Sequence, residues 1–158
     1  GTDVQVLGWD PAAQDGLFTG NFESTDDGKT LGETLISEGA DIIMPVAGPV
    51  GLGTAAAARE AGNVYIVGVD TDWTVSAADF ADITLTSVLK NMDVAVFTAS
   101  EQVADGTFAG GAYFGTLENG GVGLAEFHQL DSMVSAELKA ELDEVRAGII
   151  AGEITTQP

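Results

Sequence analysis

Short apolar runs rich in branched residues alternate along this chain with stretches of helical period, in units of about 25 to 30 residues. Val4 to Trp9 predicts the first strand. Thr25-Asp26-Asp27 offers an N-cap with acids at the positive end of a helix dipole, Leu31, Leu35 and Ile36 share one face, and Gly39 supplies the stop. Ala40 to Ala47 is almost continuously apolar, which predicts a strand buried on both faces. Gly48 to Gly53 reads as a turn, Thr54 to Ala61 as an alanine-rich helix ended by Gly62, and Val64 to Val69 as a second buried strand. A polar stretch from Asp70 to Asp82 precedes a partly exposed strand at Ile83 to Thr86. A helix over Asn91 to Ala104, a short strand at Ala112 to Gly115 and a turn at Asn119-Gly120-Gly121 follow. The last helix starts at Ser132 or Ser135 and runs to about Ala151, with Leu138, Leu142, Val145 and Ile149 on one face.

Strands alternating with helices in this way predict βαβ crossovers and an α/β fold, a mostly parallel sheet flanked by helices. Ligands of such sheets bind where the strands end at their carboxyl edge. Three groups occupy such positions: Gly48, Asp70, and Ser87 to Lys90.

The glycines of Gly48-Pro49-Val50-Gly51-Leu52-Gly53 are spaced G-x-x-G-x-G, which is not a dinucleotide fingerprint, and no Lys-Ser or Lys-Thr pair completes a Walker loop. A backbone approaching a ligand and a tight packing turn account for them equally well. Asp70 is placed to accept two hydrogen bonds from a vicinal diol, as acids at strand ends do for ribose. An Asx turn or helix cap within Asp70-Thr71-Asp72 is the competing reading, and two carboxylates in one turn are weak grounds for a metal. Lys90 is one of three lysines and lies at a strand end, with a salt bridge as the plainer alternative. His128, the sole histidine, reads as structural or solvated.

Composition narrows the classes. The chain has 158 residues, enough for one domain with its own core, and hydrophobic residues make up 45% of it, which excludes general disorder. It carries 25 Asp and Glu against 5 Lys and Arg, a formal charge of −20, so nucleic acids and anionic lipid surfaces are excluded as partners. With no cysteine, disulfides, thiolate nucleophiles and zinc-finger sites are also excluded. No apolar run reaches the roughly 20 residues that span a bilayer, and no targeting peptide is visible.

Ordered blocks carry a family resemblance: Glu38 to Gly48 (EGADIIMPVAG), Val67 to Asp72 (VGVDTD) and Leu85 to Val96 (LTSVLKNMDVAV), extended by Gly110 to Tyr113, Leu117 to Ala125 and the closing Gly152-Glu153-Ile154. Together they resemble the basic membrane protein family, the purine nucleoside receptor lipoproteins of ABC transporters. The resemblance implies a type I periplasmic-binding-protein fold, in which two lobes close on a nucleoside. Residues 1–158 would then be the second lobe with its hinge segments, the first lobe being absent. It further implies an extracytoplasmic, cell-surface lipoprotein whose lipid anchor lies outside this stretch, a membrane permease as partner, no cofactor and no catalysis.

Position by position, Asp70 resembles the acid that takes the ribose hydroxyls and Lys90 the lysine on the sugar side, while Val46 and Gly48 resemble the backbone wall of the cleft. Met44 stands where the resemblance implies a base-stacking aromatic, with Trp73 or Phe22 as substitutes. A nucleotide-binding oxidoreductase on a doubly wound sheet and the effector-binding domain of a regulator remain as alternatives. The glycine spacing and the lack of a base and nucleophile set weigh against the first, and no DNA-binding segment supports the second.

Overall fold

The computed structural model describes residues 4–46 and 48–156. Its main sheet has four strands in the order β3 (Ile42–Ile43), β4 (Tyr65–Asp70), β5 (Thr84–Lys90) and β6 (Val122–Leu124). β3, β4 and β5 run parallel and β6 closes the edge antiparallel, so the mostly parallel α/β sheet is observed. A two-residue ladder, β1 (Trp9–Asp10) with β2 (Asp15–Gly16), stands apart from it. The helices are α1 (Thr25–Ser37), α2 (Val50–Ala61), the single turn α3 (Trp73–Ser76), α4 (Met92–Ala104) and α5 (Ala136–Ile150).

The helix ends follow their caps. Ser24 accepts the Asp27 amide to start α1, Ser135 accepts the Leu138 amide to start α5, and Gly62 ends α2 in the left-handed conformation at φ 84°. α1 and α2 cross at close range because Gly28, Gly32 and Gly53 remove the side chains between them, and the Thr54 hydroxyl donates to Gly28 O at 2.9 Å across the buried contact. The core gathers Ile43, Ala55, Ala58, Val64, Ile66, Val69 and Trp73. Ile66 and Val69 lie on opposite faces of β4 and both are buried, as a central parallel strand requires.

Three expected strands come out differently. The Val4 to Trp9 stretch forms no strand before Trp9; Val4 and Val6 are exposed and no described strand pairs with them. The apolar run from Ala40 keeps only Ile42–Ile43 as strand, and it is not buried on both faces. Among the described residues β3 is an edge strand paired with β4 alone, which leaves Ile42, Met44 and Val46 exposed, while Ala47 lies outside the described residues. Ala112 to Gly115 is also not a strand: Tyr113 and Phe114 are exposed, and the strand beside β5 is Val122–Leu124, in register Lys90 with Val122.

α2 starts at Val50, four residues before the expected helix, and takes in two of the loop glycines. β5 runs on to Lys90, so Ser87 is a buried sheet residue, not a loop residue. α4 and α5 bury almost nothing: Met92, Val96, Phe97 and Val103 of α4 are exposed, and Gly148 alone is buried on α5. None of the helices among the described residues is long and apolar enough to cross a membrane.

Candidate functional site

Parallel pairing of β4 with β5 sets Asp70 opposite Leu89, one residue short of Lys90. The Lys90 ammonium reaches back and meets the Asp70 carboxylate at 2.6 Å, at the carboxyl edge of the sheet. Both groups face solvent, with Lys90 68% and Asp70 43% exposed, so the pair contributes little to folding and remains open to a ligand. Asp70 holds a left-handed backbone at φ 70°. That conformation costs a residue with a Cβ about 1–2 kcal/mol, and aspartate is among the residue types that tolerate it. It turns the chain off the strand toward α3.

Beside the pair lies a shallow concavity of about 210 Å³, floored by Val69 and Trp73 and walled by Gly48, Pro49 and Leu52 of the α2 entry. The walls come from the glycine loop: the Val50 amide donates to Phe22 O at 3.1 Å, which ties the start of α2 to the loop before α1. Gly48 backs onto the same carbonyl. Gly51 and Gly53 have a different task. A Cβ at Gly51 would meet the Trp73 ring at 3.0 Å, and one at Gly53 would collide with α1. Packing accounts for Gly51 and Gly53, while Gly48 lines the concavity.

Trp73 is buried, lies over Gly68, and donates its indole N–H to Val69 O at 3.0 Å, while the Ser87 hydroxyl accepts its amide at 3.1 Å. It forms floor, and offers no free aromatic face. Phe22, 72% exposed next to Gly48, does offer one. Its loop is held by Asn21, whose side-chain oxygen accepts the Glu23 and Ser24 amides and whose amide donates to Asp27. Met44 and Val46 project from the exit of β3 and are exposed.

Asp72 is not a partner of Asp70. It caps α3, accepting the amide and hydroxyl of Thr74 at 2.9 and 2.7 Å, and meets His128 Nε2 at 2.7 Å. Burial pushes its carboxyl up, but the Thr74 hydrogen bonds and His128 outweigh this and hold it below the usual carboxylate range. His128 thus has a structural partner, a link over 56 positions that neither residue's surroundings in the sequence signal. Among the described residues no group of three or more His, Asp or Glu side chains could hold a metal. Pro49 and Leu52 join the lining because α2 begins at Val50.

A second, larger space of about 1030 Å³ opens between β6 and α5, lined by Val88, Leu124, Phe127, Leu142 and Val145. It arises where α5 stands off the sheet, and Lys139 on its rim is already bound to Asp131 at 2.6 Å. Arg59 on α2 meets Asp82 at 3.2 Å and lies over the Phe80 ring.

Residues 17–157 match the family model described as ABC transporter substrate-binding protein PnrA-like. The CD4+ T-cell-stimulating antigen of Listeria monocytogenes is 33% identical over 98% of this chain and 46% of its own length. The ABC transporter nucleoside-binding protein BmpA of Lactococcus lactis is 30% identical over 87% of this chain and 42% of its own. In three dimensions the chain is similar to an ABC transporter solute-binding protein from Aeropyrum pernix K1, with TM-score 0.74 and 26% identity over 88% of this chain and 46% of that one. The chain spans about half the length of the curated relatives it matches. On the extent of these matches, the chain belongs to the PnrA-like family of ABC transporter substrate-binding proteins.

Proposed function

We propose that this chain is one lobe of an extracytoplasmic solute-binding protein that closes over a nucleoside, purine nucleosides foremost, and passes it unchanged to an ABC permease. The observation that carries the reading is the exposed Asp70–Lys90 pair at the carboxyl edge of β4 and β5. A carboxylate there accepts two hydrogen bonds from the ribose 2′ and 3′ hydroxyls, and the ammonium donates to ring or base oxygens. One acid and one amine that neutralise each other suit an uncharged sugar better than a phosphate ester, which would meet a net charge of −20. Phe22 supplies the exposed ring that a base stacks on, and Met44 a polarizable thioether near the same edge.

Two observations support a partner lobe. The concavity of about 210 Å³ falls short of the roughly 300–1000 Å³ of complete ligand sites. The apolar side chains Met92, Val96, Phe97 and Val103 along α4 also face no described element, as expected of a helix that docks on the other lobe. The relative from Lactococcus lactis, named as nucleoside-binding, favours the ligand class. In this reading a lipid outside the present chain tethers the protein to the cell surface, and the site binds without catalysis.

Isothermal calorimetry of the two-lobe protein against nucleosides, free bases, ribose and nucleoside monophosphates tests the proposal. Saturable binding of nucleosides, with the ligand recovered intact, is the expected result. Conversion of the ligand, or preference for the monophosphate, would overturn it.

A further inference from the structure

Every described Asp and Glu lies at the surface, exposed except for the half-buried Asp70 and Asp72. Four of the five Lys and Arg residues are already paired with a carboxylate, through Lys29–Glu60, Arg59–Asp82, Lys90–Asp70 and Lys139–Asp131. The excess of 20 negative charges therefore has almost no remaining intramolecular counter-charge. The acids are also bunched. Glu137, Glu141, Asp143 and Glu144 share α5, and Glu23, Asp26 and Asp27 surround the start of α1. Neighbours three or four apart on a helix are about 5–6 Å from each other. That is inside the screening length of about 10 Å at 0.1 M salt and outside the roughly 3 Å at 1 M.

What opposes this repulsion is small. Among the described residues eleven hydrophobic side chains are buried, four of them alanines, beside Thr54, Thr84, Thr86 and Ser87, and Ile66 is the one large apolar side chain buried to within 2%. So short a set, with alanines, threonines and a serine making up about half of it, removes little apolar surface from water for a chain of this length. A high net charge destabilises a compact state through self-repulsion, and the deficit has to be met from the solvent.

We propose that the native fold depends on molar monovalent salt, with hydrated potassium or sodium ions forming a diffuse counter-ion shell over the acidic surface. No discrete ion site is involved; the partner is the ion atmosphere, and the working medium is one of high ionic strength. This inference is independent of the nucleoside reading, since it concerns the whole surface and not the Asp70–Lys90 edge.

The test is a KCl titration of the purified protein at 25 °C, followed by tryptophan fluorescence and far-UV circular dichroism. Trp73 is buried within the core cluster and reports its opening. The native signal should be lost cooperatively below about 0.5 M KCl and return when salt is restored. A native signal that persists at about 0.01 M KCl, where the screening length is about 30 Å, would overturn the proposal. A second arm uses the exposed triple variant Glu141→Lys, Asp143→Lys and Glu144→Lys, which lowers the net charge from −20 to −14. Its transition should move to lower salt, and an unchanged midpoint would equally contradict the account.

Discussion

Gly53→Ala isolates packing from ligand approach in the glycine loop. In an ordinary helix interior the change stabilises by about 1 kcal/mol, because alanine is the better helix former. Here the added Cβ would lie 2.7 Å from the Thr25 carbonyl carbon and 2.8 Å from the Lys29 nitrogen, where ordinary contact begins at 3.4 Å, and closer still to the Thr25 oxygen. These are backbone atoms inside α1 and have no rotamer with which to yield, so α1 and α2 must part by at least half an ångström. Parting them strains the buried Thr54 to Gly28 bond of 2.9 Å and the contact of Gly28 with Val50. Overpacking in a filled core costs about 1–3 kcal/mol, and a clash with fixed backbone belongs at or above the top of that range. Set against the propensity gain, the net loss is about 2 kcal/mol, or about 4–8 °C in Tm for a chain of this size. The assay is urea and thermal unfolding at one fixed salt concentration, with Gly110→Ala as control, since nothing lies within 4 Å of a Cβ there. If Gly53→Ala is neutral or stabilising, the close crossing of α1 and α2 is wrong.

Asp70→Ala should weaken a ribonucleoside by about 1.5–3 kcal/mol, roughly ten- to 150-fold in Kd by calorimetry; equal affinity would remove Asp70 from the site. Lys90→Gln should also weaken binding yet change urea stability by less than about 1 kcal/mol, because the ion pair is exposed and screened. A larger stability loss would make the pair structural. The Asp72 carboxyl is held below its ordinary value of 3.8, so its contribution is fully present above that pH and is lost as the pH falls through the lowered native value. Asp72→Ala, which removes the α3 cap, should therefore cost about 1 kcal/mol near neutrality, with the gap to wild type narrowing below about pH 4. A gap constant down to strong acid would contradict this origin.

The alternation of strands and helices is legible because apolar runs and helical faces are local properties. Burial is not local. Ile42, Met44 and Val46 read as core from their neighbours, but among the described residues one strand lies beside β3 and they stay exposed. β6 is hidden because Gly120, Gly121 and Gly123 look like a turn, and its strand character comes from pairing with Val88 to Lys90. The first turn of α2 is masked in the same way: Gly51 and Gly53 lower its helix propensity and earn their place only through Trp73 and α1.

Strand-end logic places Asp70 and Lys90 separately at the carboxyl edge, and the β4–β5 register brings them together. Trp73, expected as a substitute stacking partner, is a buried floor residue instead. Its burial depends on the space that Gly68 leaves and on Ser87 accepting its amide from the next strand.

The central claim is that a nucleoside sits on the carboxyl edge of β4 and β5. It is tested most directly by the structure of the two-lobe protein crystallised with the nucleoside it binds most tightly. The account predicts ribose hydroxyls within about 2.6–3.2 Å of the Asp70 carboxylate, with the Lys90 ammonium on the sugar side and the base against Phe22 or Met44. A nucleoside bound elsewhere, such as the space between β6 and α5, with the Asp70–Lys90 pair untouched, would contradict it.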